Sequence, residues 1–277
     1  MKAILLTFDV EEFDIPQEYG IDMPMEQQMA VSRIGLESLL SILEKYRAKA
    51  TFFCTANFAL HHPELIRKIA QDHEVASHSF YHDYRKPTTW EDIKASKEVL
   101  EQIIQKPVWG FRMPRLMRFD IADLAKYGYQ YDASLNPTYL PGRYNFFFKK
   151  AQPHLIGNIL EIPSSVLPWL RLPLFWIMFK NIPLGLYKRL CAITLKRRHF
   201  LSLYFHPWEF SDLTTYPIPS YVKKKSGRVL LDQFEELLIF LSGQKATFIS
   251  CHELQNHEQR KGLSYKKALA EETVIKS

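Results

Sequence analysis

The chain has 277 residues, 47% of them hydrophobic and 24% charged, which excludes disordered and fibrous classes and leaves room for one large domain over residues 1–277 with a sizeable core. The formal charge of +6 is scattered or sits in short runs at 196–198 and 223–225 with no nucleic-acid motif around them. No nucleic-acid partner is expected, and the charge reads as solvated surface with a weak pull toward anionic glycans or lipid head groups.

Residues 2–10 read as a short buried parallel strand that ends in a polar cluster, Thr7-Phe8-Asp9-Val10-Glu11-Glu12. Asp9 and Glu11, two apart in extended chain, point the same way and sit where α/β sheets gather functional groups, just beyond a strand's carboxyl end. A helix over 26–46 and a strand over 48–54 complete a crossover unit. Pro63 opens a helix running to Ala70, and 74–77 is a third strand. His78 and His82 come immediately after it. Two imidazoles four residues apart on a helix turn or tight loop can hold one metal ion through neutral ring nitrogens, although the spacing alone fits an exposed helix start equally well.

Further on, the spacing predicts a helix over 90–105, a strand over 108–111 ending at Arg112, a short helix over 121–126 and a strand over 129–134 carrying Asp132. Next come strands over 159–163 and 200–205, the second delivering His206-Pro207-Trp208-Glu209. A helix over 233–243 and a strand over 246–249 close the pattern. Between them, 166–193 is apolar but interrupted by Arg171, Lys180, Pro183, Lys188 and Arg189, so no run approaches the ~20 residues of a spanning helix. It reads as a buried helix with its connections, or as an amphipathic patch making peripheral membrane contact. Cys54, Cys191 and Cys251 are odd in number and far apart, so buried thiols are expected rather than a disulfide framework. The N-terminus enters a strand without the succession of a secretion signal, so a cytoplasmic protein is expected, with the inner face of the membrane as the place for any contact through 166–193.

Taken in order, Thr-Phe-Asp9-Val-Glu11, His78-Ser-Phe-Tyr-His82, Phe-Arg112-Met-Pro114, Tyr131-Asp132-Ala-Ser134 and Leu-Tyr-Phe-His206-Pro resemble the motif set of polysaccharide deacetylases, the family of chitin and peptidoglycan deacetylases. The resemblance implies a distorted, often seven-stranded (β/α) barrel and a divalent metal, with zinc expected, held by one acidic residue and two histidines. His78 and His82 take the metal positions and Asp9 that of the general base. Position 10 is Val where the commoner pattern has a second, adjacent aspartate. The acidic ligand then falls to Glu11, with Glu12, Asp14 or Asp9 itself left open. Arg112 matches the arginine that pairs with the base, Asp132 the acid that orients the catalytic histidine, and His206 the group that protonates the leaving amine. Trp208 is either an apolar wall for a sugar ring or a core residue.

The function so implied is removal of an acetyl or formyl group from an N-acylated sugar in a polysaccharide, an oligosaccharide or a lipid- or nucleotide-linked precursor. Hydrolysis of a small linear or cyclic non-peptide amide is the alternative enzyme, and an inactive glycan-binding barrel the alternative from another class.

Overall fold

The computed structural model describes residues 2–83, 85–141 and 144–260. Seven strands run in chain order: β1 (Ala3–Val10), β2 (Thr51–Cys54), β3 (Glu74–Ser77), β4 (Gly110–Phe111), β5 (Tyr131–Asp132), β6 (Ile159–Glu161) and β7 (Phe200–Phe205). All pair in parallel in the sheet order β7-β1-β2-β3-β4-β5-β6. The antiparallel strand His154–Ile156 lies beside β6, and Thr247–Phe248 pairs with the first residues of β1 on the edge that β2 occupies further along. The sheet curls until the chain just past β6 meets β7. There the Ser165 amide donates to the Ser202 carbonyl at 2.9 Å, and the Ser202 amide to Ser165 Oγ at 2.8 Å. The expected distorted α/β barrel with seven parallel strands is therefore present, joined at one irregular seam.

The crossovers carry five main helices: α1 (Met25–Lys45), α2 (Pro63–Asp72), α3 (Trp90–Ile104), α4 (Leu184–Arg198) and α5 (Arg228–Ser242). Local chemistry sets their limits. Pro63 supplies a preset φ in the first turn of α2. Thr89 and Asp92 form a reciprocal capping box on α3, an arrangement that contributes about 1 kcal/mol. Gly227, at φ +64°, turns the chain into α5 five residues earlier than the apolar spacing predicts.

Every residue of β1 is buried, and its two faces do different work. Ile4, Leu6, Phe8 and Val10 point outward into the main core with Leu36, Leu39 and Leu43 of α1 and Leu230, Phe234 and Leu237 of α5. Ala3 and Leu5 point inward and, with Phe53, Ala76, Tyr131 and Leu160, form an apolar plug inside the curl. Alternation then brings the next inward residues, Thr7 and Asp9, above that plug. The polar floor of the site is thus laid down by strand geometry.

The apolar stretch 166–193 divides between two roles. Leu174, Phe179, Tyr187 and Cys191 enter the core, whereas Trp169, Leu170, Leu172 and Leu186 stay exposed. Among the described residues no helix is long and apolar enough to cross a membrane.

Candidate active site

The site assembles at and just beyond the carboxyl ends of β1, β3, β4 and β7. After β3 the chain enters a loop rather than a helix, and Ser79 adopts a left-handed φ of +65°. The loop is pinned from the side: the amides of Ala56 and Asn57, at the start of the helix Ala56–His61, donate to the carbonyls of Ser79 and Phe80. That fixed turn lets His78 and His82 face one point, with centroids 5.7 Å apart and rings within 17° of parallel.

Both imidazoles present Nε2 to the same atom. Glu11 Oε2 lies 3.1 Å from His78 Nε2 and 3.3 Å from His82 Nε2. Their other nitrogens are tied back, Nδ1 of His78 to the Arg112 carbonyl at 2.9 Å and Nδ1 of His82 to Asp14 Oδ1 at 3.1 Å. Acceptors at Nδ1 fix the tautomer that leaves an Nε2 lone pair for a ligand. The second oxygen of Glu11 accepts from the Trp208 indole at 3.1 Å and lies 3.9 Å from His206 Nε2, while Oε2 faces His78 and His82. Burial favours the neutral form of Glu11, but the imidazoles of His82 and His206 and the hydrogen bond from His78 outweigh it and hold the carboxyl well below its ordinary range. Burial likewise opposes charge on His82, yet Glu11 and Asp14 raise it to about 9.

One ligand atom from each of Glu11, His78 and His82 falls within 4.8 Å of the others. Ligand atoms at ~2.0–2.1 Å from a tetrahedral zinc lie about 3.3 Å apart, so the donor set and its spacing fit a divalent ion. Of the other acids, Glu12 turns away to Asn57 Nδ2 and Thr55 Oγ1, at 2.6 and 3.0 Å. Asp14 spans His82 and Arg115, and Asp9 is taken up by Arg112.

Arg112 is fully buried and spends its donors on three groups: Nη1 on Asp9 Oδ1 at 2.6 Å, Nη2 on Thr7 Oγ1 at 3.0 Å and Nε on the Ala133 carbonyl at 2.9 Å. The guanidinium also lies 4.1 Å from the centre of the Phe53 ring, so it is clamped in position. It leaves Asp9 Oδ2 facing the cleft, 3.9 Å from His206 Nε2.

The acid that lies against His206 is Glu209, and Asp132 is engaged elsewhere. Asp132 accepts from the Ser134 amide and hydroxyl at 3.1 and 2.7 Å and packs against Glu161. Burial and the repulsion of Asp132 push the Glu161 carboxyl well above its ordinary range. His206 is oriented instead by Glu209, whose Oε1 takes both the His206 amide, at 2.7 Å, and Nδ1, at 3.0 Å. The Trp208 ring stacks on His206 at 4.7 Å and Trp176 meets it edge-on at 5.3 Å. Trp208 lines the cleft and, through its indole on Glu11 and its ring on His206, ties those two residues together. Behind Glu209 lies Lys180, with no exposed surface, its Nζ 3.7 Å from Glu209 Oε2. A cleft of about 240 Å³ opens over Asp9, Glu11, His78, His82 and His206, walled by Tyr204, Phe175 and Trp176.

Known proteins share both the sequence of the first half and the fold of the whole. Residues 1–131 match the polysaccharide deacetylase family. The deacetylase match includes Asp9, Glu11, His78, His82 and Arg112, whereas His206 and Glu209 lie beyond it. Over 96 residues the chain is 42% identical to the uncharacterized protein YlxY of Bacillus subtilis (strain 168), a stretch that covers 32% of this chain and 30% of that protein. Solved structures share the fold over nearly the whole chain. A probable polysaccharide deacetylase from Pseudomonas aeruginosa PAO1 gives a TM-score of 0.64 at 14% identity, covering 93% of this chain and 91% of that one. Puue allantoinase gives 0.63 at 13%, covering 92% and 89%. A CE4 family pseudoenzyme from Bacillus anthracis gives 0.51 at 14%, covering 92% and 66%.

Sequence reading missed Glu209 and Lys180 as parts of the site. Glu209 left a signal, because a Glu three residues after a His at the mouth of a turn closes a capping box on it. Lys180 left none beyond being a lone cation in an apolar segment.

Proposed function

We propose that this protein is a metal-dependent hydrolase that removes an acetyl or formyl group from an N-acylated sugar. The observation that carries the reading is the convergence of His78 Nε2 and His82 Nε2 on one oxygen of Glu11, with Asp9 and His206 facing each other across the same cleft. Glu11, His78 and His82 would hold the ion, and a divalent ion held there supplies an acidified water and polarises an acyl carbonyl.

The chain's own groups do the rest. Asp9, aimed by Arg112, takes the proton of the attacking water through Oδ2. His206 gives the proton at Nε2 to the departing amine nitrogen, and Glu209 holds its other nitrogen. The Trp208 indole keeps Glu11 turned so that one oxygen stays directed at the histidines. The products are acetate or formate and the free amine.

At about 240 Å³ the cleft is smaller than the ~300–1,000 Å³ of most ligand pockets, which suits one acylated ring at a time. The same small volume supports a second reading, hydrolysis of a compact linear or cyclic amide. The complete set of carboxylates and imidazoles speaks against an inactive glycan-binding barrel. The test is a panel of N-acetylated and N-formylated sugars, free and lipid-linked, together with small amides, assayed for released amine after loading with zinc. Turnover of an acylated sugar that is abolished in His78→Ala is the expected result; turnover that survives in that variant overturns the mechanism.

A further inference from the structure

We propose that the face carrying residues 167–172 docks on an anionic lipid bilayer. The chain's positive charge is not evenly spread. Between Asp132 and Glu209 there are ten Lys and Arg residues and a single acid, Glu161, which is buried. That stretch alone exceeds the formal net charge of +6.

The same stretch holds exposed apolar side chains on a fixed scaffold. A bridge between Val166 and Pro173 and two backbone hydrogen bonds, Leu167 N–H to the Leu172 carbonyl at 2.8 Å and Arg171 N–H to the Leu167 carbonyl at 3.0 Å, close a tight hairpin. At its tip Trp169 is 70% and Leu170 64% exposed. Trp169 and Arg171 take left-handed φ values of +68° and +55°, a conformation that costs free energy for a bulky side chain. The hairpin thus adopts a disfavoured backbone while keeping a large aromatic and a leucine in water. Such an arrangement is expected where the tip has an apolar medium to enter.

Cations ring this tip. The Arg197 guanidinium lies 4.9 Å from the Trp169 ring centre, and Arg171 Nη1 donates to the Lys149 carbonyl at 3.0 Å, tying the hairpin to a second loop. That loop carries Lys149, Lys150 and Phe148, which is 91% exposed. An apolar tip inside a basic collar matches the two layers of a membrane surface, acyl chains below and anionic head groups above. A polyanionic glycan would satisfy the collar and leave Trp169, Leu170 and Phe148 unused. Phe175 and Trp176, a few residues after the hairpin, line the catalytic cleft, so docking would bring the cleft mouth near the bilayer. Only this last point rests on the hydrolase reading, and it favours a lipid-linked acylated sugar as substrate.

The test is co-sedimentation of the full chain with sucrose-loaded vesicles of phosphatidylcholine containing 30% phosphatidylglycerol, with pure phosphatidylcholine vesicles alongside. Partitioning at least about 10-fold stronger onto the anionic vesicles is expected. The double variants Trp169→Ser/Leu170→Ser and Lys149→Glu/Arg197→Glu should each lose about 10-fold or more of it, with an unchanged far-ultraviolet circular dichroism spectrum. No sedimentation with anionic vesicles overturns the proposal. So does full binding by the Trp169→Ser/Leu170→Ser variant, which would reduce the face to a general polyanion site. No step of this assay reads catalysis, so its failure leaves the hydrolase reading standing, and failure of that reading leaves the docking result intact.

Discussion

Replacing Arg112 with Met tests the electrostatic frame of the site without reference to any substrate. Met keeps much of the apolar stem and removes all three donors, those on Asp9, Thr7 and the Ala133 carbonyl. Opposite charges about 4 Å apart at an effective dielectric near 20 attract by about 4 kcal/mol. Asp9 is only 3% exposed, so losing its partner strands a carboxylate away from water, a change that costs about 3–5 kcal/mol. Adding Asp9→Asn removes the stranded charge and should return most of that loss, leaving about 1 kcal/mol for the acceptors on Thr7 and Ala133. Urea unfolding of Arg112→Met, Asp9→Asn, the double variant and the parent in excess chelator at pH 7 reads the difference. The single Arg112→Met variant should unfold about 1 M or more earlier, and the double variant should recover most of the shift. Equal midpoints for Arg112→Met and Arg112→Met/Asp9→Asn would refute the idea that the guanidinium is there to pair with Asp9.

Zinc binding followed by elemental analysis should fall at least about 100-fold in affinity in His78→Ala or His82→Ala, and about 10- to 100-fold in Asp14→Asn, which frees the far nitrogen of His82. In the metal-free protein the folded value of His82, about 9, lies above the unfolded 6.5. Its charge therefore contributes about 3 kcal/mol that is complete below pH ~6.5 and disappears as pH rises through about 9. A chelator-treated sample whose melting temperature shows no decline across that window would contradict the assignment. Metal affinity should run the opposite way, rising over the same interval as the bound proton ceases to compete. His206→Ala and Glu209→Gln should lower kcat on N-acetyl substrates by about 100-fold or more while sparing 4-nitrophenyl acetate, whose leaving group needs no proton. Equal losses on both substrates would remove His206 from the role of acid.

How far the fold could be read from residues depended on how local the determinants were. Strands β1, β2, β3 and β7 were legible because each is a short apolar run bounded by polar residues, and so were α1, α2 and α3, whose apolar spacing keeps a helical period. Helix α4 was not, because 166–193 is apolar on too many sides for one stripe to stand out. The position of His78 and His82 at a strand end was visible, but the left-handed Ser79 that aims them is an outcome of the hydrogen bonds from Ala56 and Asn57. Asp132 was expected beside His206 because the resemblance to polysaccharide deacetylases implies an acid that orients the histidine. In the fold its oxygens are consumed by Ser134 two residues on, a contact any Asp before a serine turn can make. Glu209 wins through proximity along the chain, and Lys180 reaches it only through tertiary packing.

The turn after β7 that carries His206 has helix α1 pressed against it from outside the barrel. A Cβ placed on Gly35 would stand 1.9 Å from the Pro207 carbonyl oxygen, so backbone meets backbone with no side chain between them. Position 35 is far from the cleft in sequence and belongs to an outer helix, yet it gauges the depth at which His206 is seated. A methyl group there would act as a shim, lifting the 206–210 turn and with it the Trp208 indole that holds Glu11. In a survey of natural or laboratory variants, a change at this outwardly ordinary helix position should therefore score with His206 and Glu11, as a loss of turnover.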